Sequence, residues 1–348
     1  MKAIKPRYEI INEPSVTKKI ERIARVCYKS EDKIADDTDI RMINNLIKRQ
    51  HTAMLEHGSV VVRVNRCNYK YLQDAVSYMT SECAKDKFVP KKSYLRFTYC
   101  NKQYIVSGNV RAWYEFFMFV GAFSDYGIPK SVFEVVNSAV GNIFDCFINN
   151  VNNTNYSNVF YSHPECKASL ITDFSELSME ERMVHETLSV LFTVDRGITH
   201  ELVRHRECSF AQESTRYCNY MLDKFGEEIT FIIPCFFDTG FGANSNSLVY
   251  KAWERVCIVA EAEYFSLLKY GATPQQARDV LPTSVKSDIV VTATLDEWRH
   301  ILNLRACDST GPAHPQMKEV MIPLLKDLRA VEYNFAFGSL IAADEVTA

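Results

Sequence analysis

Apolar residues recur at helical spacing over residues 15–29, where Ile20, Ile23, Ala24 and Cys27 fall on one side. They do so again over 38–49, with Ile40, Ile43, Leu46 and Ile47. HTAMLEHG, 51–58, breaks the period and reads as a loop, and SVVVRVNR, 59–66, then reads as a strand. Helical spacing returns over 68–83. YLRFTYCNKQYIVSG, 94–108, predicts a β-hairpin turning at Asn101-Lys102, and 109–123 predicts a helix. Residues 149–158 hold six asparagines and read as a polar loop. SMEERMVHETLSVLFTVDRG, 178–197, is a helix running into a strand, and ITHELVRHR, 198–206, is a short helix. Strands follow at 228–234 and 288–294. Helices are predicted over 246–270, ended by Gly271, from Pro274 with Thr273 as its cap, over 295–305, and from Pro315 onward. Strands and helices mix without regular βαβ alternation. That pattern predicts an α+β fold, a mainly antiparallel sheet flanked by helices.

One short internal similarity stands out, VSGNVRAWYEFF (106–117) against VTATLDEWRHIL (291–302). Two short helices of like polarity would match as well, so chance is the expected reading. There is no long repeat and no low-complexity tract.

Composition narrows the function classes. The 348 residues are 47% hydrophobic and 24% charged, with a formal charge of -3, so no overall basic field exists to hold nucleic acid and any anion site must be local. Eleven scattered cysteines without a CxxC pair argue against a zinc site, a redox dithiol or a disulfide framework, and fit free thiols in the cytoplasm. No uninterrupted run of about 18 apolar residues predicts a membrane span. The start, MKAIKPRYEIINEPS, lacks a signal peptide's apolar run.

The chemistry concentrates in RHRECSFAQESTRY, 204–217, which carries three arginines, a histidine, two serines and an amide. Arg204, Arg206 and Arg216 are permanently charged donor forks, suited to phosphate and carbonyl oxygens. A surface cluster is the bland alternative. HELVRH, 200–205, spaces its histidines five apart, unlike a zinc-protease helix, and no metal is expected. GFGAN near Gly240 lacks the third glycine of a dinucleotide loop.

The pattern RHR-x2-S-x4-S-x-R resembles the signature of flavin-dependent thymidylate synthases. That family methylates dUMP using methylenetetrahydrofolate and reduced FAD, with NADPH as reductant. The resemblance covers residues 15–65, 190–220 and 246–325. It implies that Arg305, in NLRAC, activates the uracil. It places Glu201, Arg204, Gln212, Glu213, Ser214, Thr215, Arg216, Arg278 and Arg305 around dUMP. It assigns His51, Arg204, His205, Arg206, Gln212 and His300 to FAD, which in the family lies across subunit contacts of a homotetramer. HTAMLEH resembles the family's H-x-S/T-x-x-E-H segment, with Ala53 at the hydroxyl position and Glu56 as its acid.

This chain departs from the family in two ways. It reads as one domain, 1–348, with an insertion at about 67–188. Where relatives carry N-x-R before the helix at 295, it has Thr294 and Asp296. An acid beside FAD phosphates would repel them by roughly 1 kcal/mol or more. N-x-R does occur inside the insertion, as Asn109 and Arg111, which suggests that the insertion supplies these contacts. The rivals are a catalytically weakened dUMP- and flavin-binding relative, and a nucleic-acid-binding module.

Overall fold

The structure is a computed structural model, describing residues 1–65, 95–100, 103–122, 128–145, 160–161, 167–216, 218–222, 226–237, 247–330 and 332–346. The helix expected at 68–83 and the loop at 149–158 lie outside the described residues. The chain divides into two compact units. One comprises Met1–Asn12, Ala24–Asp32 and Leu188–Ala348, and the other Glu13–Ile23 and Lys33–Thr187. The second unit therefore contains the expected insertion together with residues that precede it. No helix among the described residues is long and apolar enough to cross a membrane.

The first unit is built on a four-stranded sheet in the order Ser209–Gln212, Lys286–Thr294, Thr187–Asp195, Arg7–Ile10. Strand Lys286–Thr294 is buried along nearly its whole length, which explains its almost continuous apolar run. Ser209–Gln212 and Arg7–Ile10 pair antiparallel with their neighbours. The side-chain bonds Ser189–Thr292 and Thr193–Asp288 run in opposite order along the two central strands, as antiparallel neighbours require. Strand Lys286–Thr294 turns straight into helix Leu295–Arg305, whose first turn is capped by the Thr294 hydroxyl accepting from Glu297 N–H. Helix Leu248–Lys269 ends at Gly271, where φ of +93° suits a residue without Cβ. Thr273 and Pro274 open the next turn as expected.

The second unit carries its own antiparallel sheet, ordered Arg96–Cys100, Gln103–Asn109, Ser59–Asn65, Ala168–Leu170. The predicted hairpin is present: Cys100 pairs with Gln103 across the two-residue connection. Helix Val110–Ala122 follows, and packs Trp113, Phe116 and Phe117 with Phe133 and Phe144 into an aromatic core. The expected loop at 51–58 is instead the 3-10 helix Thr52–His57, formed because Leu55 and His57 are both buried. Sequence patterning also missed the short N-terminal strands Lys2–Ile4 and Arg7–Ile10, too short to show a period.

The two units share one architecture in matching register. In the second unit Trp113 donates to the Val60 carbonyl at 3.2 Å, and in the first Trp298 donates to the Leu188 carbonyl at 2.9 Å. The tryptophans stand 185 positions apart (298 minus 113) and their acceptors 128 (188 minus 60). The same offsets carry other bonds over. Ile171 N–H to Val61 carbonyl becomes Ile11 N–H to Ser189 carbonyl, each 2.9 Å. The cap Asn109 to Ala112 becomes Thr294 to Glu297. The pair Val61–Ser107 becomes Ser189–Thr292. His57 and His185, each ending the helix before its strand, are both fully buried. The similarity between 106–117 and 291–302, expected to be chance, thus marks a strand–helix module present twice. Each module's sheet is closed by an edge strand from elsewhere in the chain, Ala168–Leu170 in one and Arg7–Ile10 in the other.

Candidate functional site

The arginine motif begins where strand Thr187–Asp195 passes into helix Arg196–Leu202. The Asp195 carboxylate caps that helix through Ile198 N–H at 3.0 Å and accepts from Gln316 at 2.8 Å. Ile198, Thr199 and Leu202 are buried, so the helix is anchored by one face. Beyond it the chain alternates: Arg204 exposed, His205 buried, Arg206 exposed. His205 Nε2 accepts from Arg305 Nε at 3.1 Å, and Arg305 Nη1 donates to Glu201 Oε2 at 3.2 Å. Three of the sequence-predicted residues therefore meet, Arg305 lying 104 positions from Glu201 and 100 from His205. Burial, Arg305 and His300 together pull the His205 pKa down to about 4, so the ring is neutral near pH 7. The His300 ring stands edge-on to it at 6.3 Å.

A second group forms where strand Ser209–Gln212 ends. Gln212 Nε2 donates to the Thr199 and Ser287 hydroxyls, each at 3.0 Å. Glu213 is buried and locked to the central strand. Its N–H reaches the Asp288 carbonyl at 2.8 Å, and its carboxylate takes the Asp288 N–H at 3.2 Å and Lys286 Nζ at 2.6 Å. Asp288 in turn accepts from Thr193 at 2.7 Å and Lys286 at 3.0 Å, and pairs with Lys29. Burial alone would raise the Asp288 pKa; Lys286 and Lys29 hold it down at about 2. Burial opposes the charge on Lys29, yet Glu213 and Asp288 raise its pKa. Directly after this cluster, Ser214 N–H bonds the Cys27 carbonyl at 3.1 Å, and the Thr215 hydroxyl accepts from Arg278 at 3.4 Å. The buried charges thus hold the base of the 213–216 loop, and Arg278 joins its far side. Arg216 is exposed, with its N–H on the Ser214 hydroxyl at 3.4 Å.

Sequence reasoning missed Lys29, Lys286 and Asp288. The one available signal was KSDIVVTAT, which places two charges at alternate positions at the start of an otherwise buried strand. Nothing local could join them to Lys29. A polar cavity of about 520 Å³ opens beside this cluster, lined among others by Lys2, Lys29, Glu31, Glu213, Tyr220 and Lys286. None of Arg204, Arg216, Arg278 or Arg305 is among its described lining.

The remaining predicted residues belong to the second unit. His51 is exposed at the start of the 3-10 helix. Asn109 uses its side-chain oxygen to cap a helix, and Arg111 pairs with Glu56 and Glu115, each at 2.7 Å. As for metals, His205, Glu297 and His300 bring potential ligand atoms within 4.8 Å of one another. The Arg305 bond to Nε2 leaves the His205 proton on Nδ1, so while that bond stands the ring has no lone pair for an ion. His200 is exposed and faces a different environment from buried His205.

The family model described as "Thymidylate synthase complementing protein" matches residues 9–80 and 150–331. A flavin-dependent thymidylate synthase of Pyrococcus furiosus is 33% identical over 133 residues, 38% of this chain and 50% of the relative. One from Thermococcus onnurineus is 35% identical over 113 residues, 32% of this chain and 43% of the relative. The chain spans about half the length of these relatives. The solved structure of a UMP/dUMP methylase from Streptomyces cacaoi is similar over 44% of this chain and 71% of its own, at 22% identity and a TM-score of 0.36, too distant to carry an argument.

Proposed function

The chain belongs to the thymidylate synthase complementing protein family, and from that premise we propose that it is an FAD-dependent thymidylate synthase. In this reading it converts dUMP to dTMP with methylenetetrahydrofolate as one-carbon donor and NADPH as reductant. The observation that carries it is Arg305, held between Glu201 and His205. Two of the five guanidinium N–H groups are committed to that clamp, which leaves an oriented fork for the carbonyl edge of a uracil. Arg204, Gln212, Glu213, Ser214, Thr215, Arg216 and Arg278 complete the dUMP set. Arg216 and Arg278 supply charge for its phosphate, and Glu213 acts from beneath by fixing the loop to the strand.

The chain's donors fit FAD. Exposed Arg204 and Arg206 suit its phosphates, while neutral His205, with His300, suits an uncharged ring. Gln212 and His51 complete that set. When bound, the reduced flavin supplies the hydride that completes the methyl group. Self-association, as a homotetramer, belongs to the same reading. Leu248, Val249, Val256, Ile258 and Val259 leave one helix strongly exposed and apolar.

The deciding measurement is dTMP formed from dUMP with each of FAD, NADPH and the folate omitted in turn. Product is expected only in the complete mixture, and undiminished product without FAD would sink the proposal. Thr294 and Asp296, in place of N-x-R, favour a second reading, a weakened relative that binds dUMP without turnover. That protein would release no tritium from C5-labelled dUMP.

A further inference from the structure

Lys29, Lys286 and Asp288 lie in the first unit next to Glu213, and the proposed reaction gives none of the three a role. With Glu213 they form a compensated set of two ammonium groups and two carboxylates at the start of strand Lys286–Thr294. Lys286 Nζ bridges Glu213 at 2.6 Å and Asp288 at 3.0 Å. Lys29 pairs with Asp288 and lies 3.9 Å from Glu213. A buried ion cluster adds little stability over apolar residues of the same shape, so its retention points to a geometry that it enforces.

That geometry belongs to the loop. The Glu213 N–H donates to the Asp288 carbonyl at 2.8 Å, and the Asp288 N–H donates back to the Glu213 carboxylate at 3.2 Å. One residue on, the Ser214 N–H donates to the Cys27 carbonyl, and the Ser214 carbonyl accepts from the Cys218 N–H at 3.0 Å. Lys29, two positions after Cys27, has a φ of +48°, a left-handed backbone that residues with a Cβ rarely adopt. Such a conformation persists where its surroundings over-determine it. Here the Cys27 carbonyl is tied to Ser214 and the Lys29 ammonium to Asp288, so the strained turn is held to both the loop and the strand.

We infer that Lys286, Asp288 and Lys29 are positioning residues for nucleotide binding, which act through Glu213 to set where Ser214, Thr215 and Arg216 meet dUMP. The inference deepens the thymidylate synthase reading and rests on it for the identity of the ligand. The balance of charge has a second consequence. Loss of one ammonium would leave a carboxylate in excess beside a loop that receives a phosphate, so a test has to separate geometry from field.

The test uses the full chain, K286M and the double variant K286M/D288N. The readouts are KM and kcat for dTMP formation, calorimetric dUMP binding, and hydrogen exchange of the Glu213 and Ser214 amides without ligand. K286M is expected to raise KM and Kd for dUMP about tenfold, to keep kcat at saturating dUMP within about twofold, and to speed exchange at both amides. K286M/D288N removes one charge of each sign, so the balance is kept while the ties are lost, and it is expected to bind dUMP as weakly as K286M. A double variant that binds dUMP as tightly as wild type would overturn the inference, since the cluster would then act by its field alone. K286M with an unchanged KM would also overturn it, as would a kcat that falls as much as KM rises, or amides that exchange at the wild-type rate. If K286M does not fold, the double variant, which leaves no excess buried charge, makes the same comparison with wild type. A wild-type protein that neither binds dUMP nor forms dTMP would instead overturn the thymidylate synthase reading, and amide exchange would still test the hold of the cluster on the loop.

Discussion

The two strand–helix modules have the same bonds and different chemistry. Trp113 and Trp298 play one part, donating from the first turn of the helix to the second residue of the neighbouring strand. Ser107 and Thr292, Gly108 and Ala293, Asn109 and Thr294 are substitutions that conserve size or capping ability. At 111/296 and 120/305 the pairs are Arg/Asp and Val/Arg, which conserve neither charge nor size. Positions that hold the frame together have stayed alike, while these two have parted. The lesson is that a frame is constrained by its buried hydrogen bonds, and positions outside those bonds are free to change.

The largest expected effect breaks the frame. W113A and W298A each remove a fully buried indole and leave a strand carbonyl without its donor. Each should cost about 3–5 kcal/mol in urea unfolding. Equal losses sharpen the equivalence, and a loss below about 1 kcal/mol in either variant would break it.

Next comes the ligand chemistry. R305A should lower kcat by about 10²–10³ and cost only about 1–3 kcal/mol of unfolding free energy, because the site loses an electrostatic donor and buried His205 loses one hydrogen bond. Steady-state dTMP formation checks this. Activity within a factor of about two would remove Arg305 from the mechanism.

A smaller effect is expected in pH dependence. His185 is buried between the Ser107 and Thr98 hydroxyls, and burial first, then Arg96, lowers its pKa to about 4. Its unfolded value is about 6.5. The folded state thus resists protonation, so this contribution to stability is present above about 6.5 and is lost as pH falls toward 4. Unfolding free energies from denaturant titrations between pH 4 and 7 should show a slope approaching about 1.4 kcal/mol per pH unit, reduced in H185N. The same slope in both proteins would assign it to other groups.

The smallest effect tests the caps. N109A and T294A should each lose about 1 kcal/mol of stability. If only one does, the two modules differ in their helix starts.

Much of this was legible in the chain. The helices at 16–28, 38–48, 110–122, 248–269 and 295–305 follow from local periodicity and caps, and the composition of the RHR segment suits it to phosphate and carbonyl oxygens. Three features were not legible. Leu55 and His57 form a buried 3-10 turn because of what packs on them. The carboxylate of Glu213 is bound by Lys286, Asp288 N–H and Tyr220, partners that nothing local in QESTR announces. The similarity at 106–117 was too short to separate from chance, and only strand register gave it meaning.

Local periodicity, capping residues and the fixed charge of arginine determined where the elements lie and which ligand chemistry the 204–217 segment suits, since these depend on neighbours within a few positions. Tertiary structure alone decided that Arg305 meets Glu201 and His205, that Lys29 closes a charge cluster with residues some 185 to 260 positions away, and that the same module occurs twice. Those facts depend on which distant segments share a buried sheet, and hydrogen bonds across a sheet leave no period in the chain.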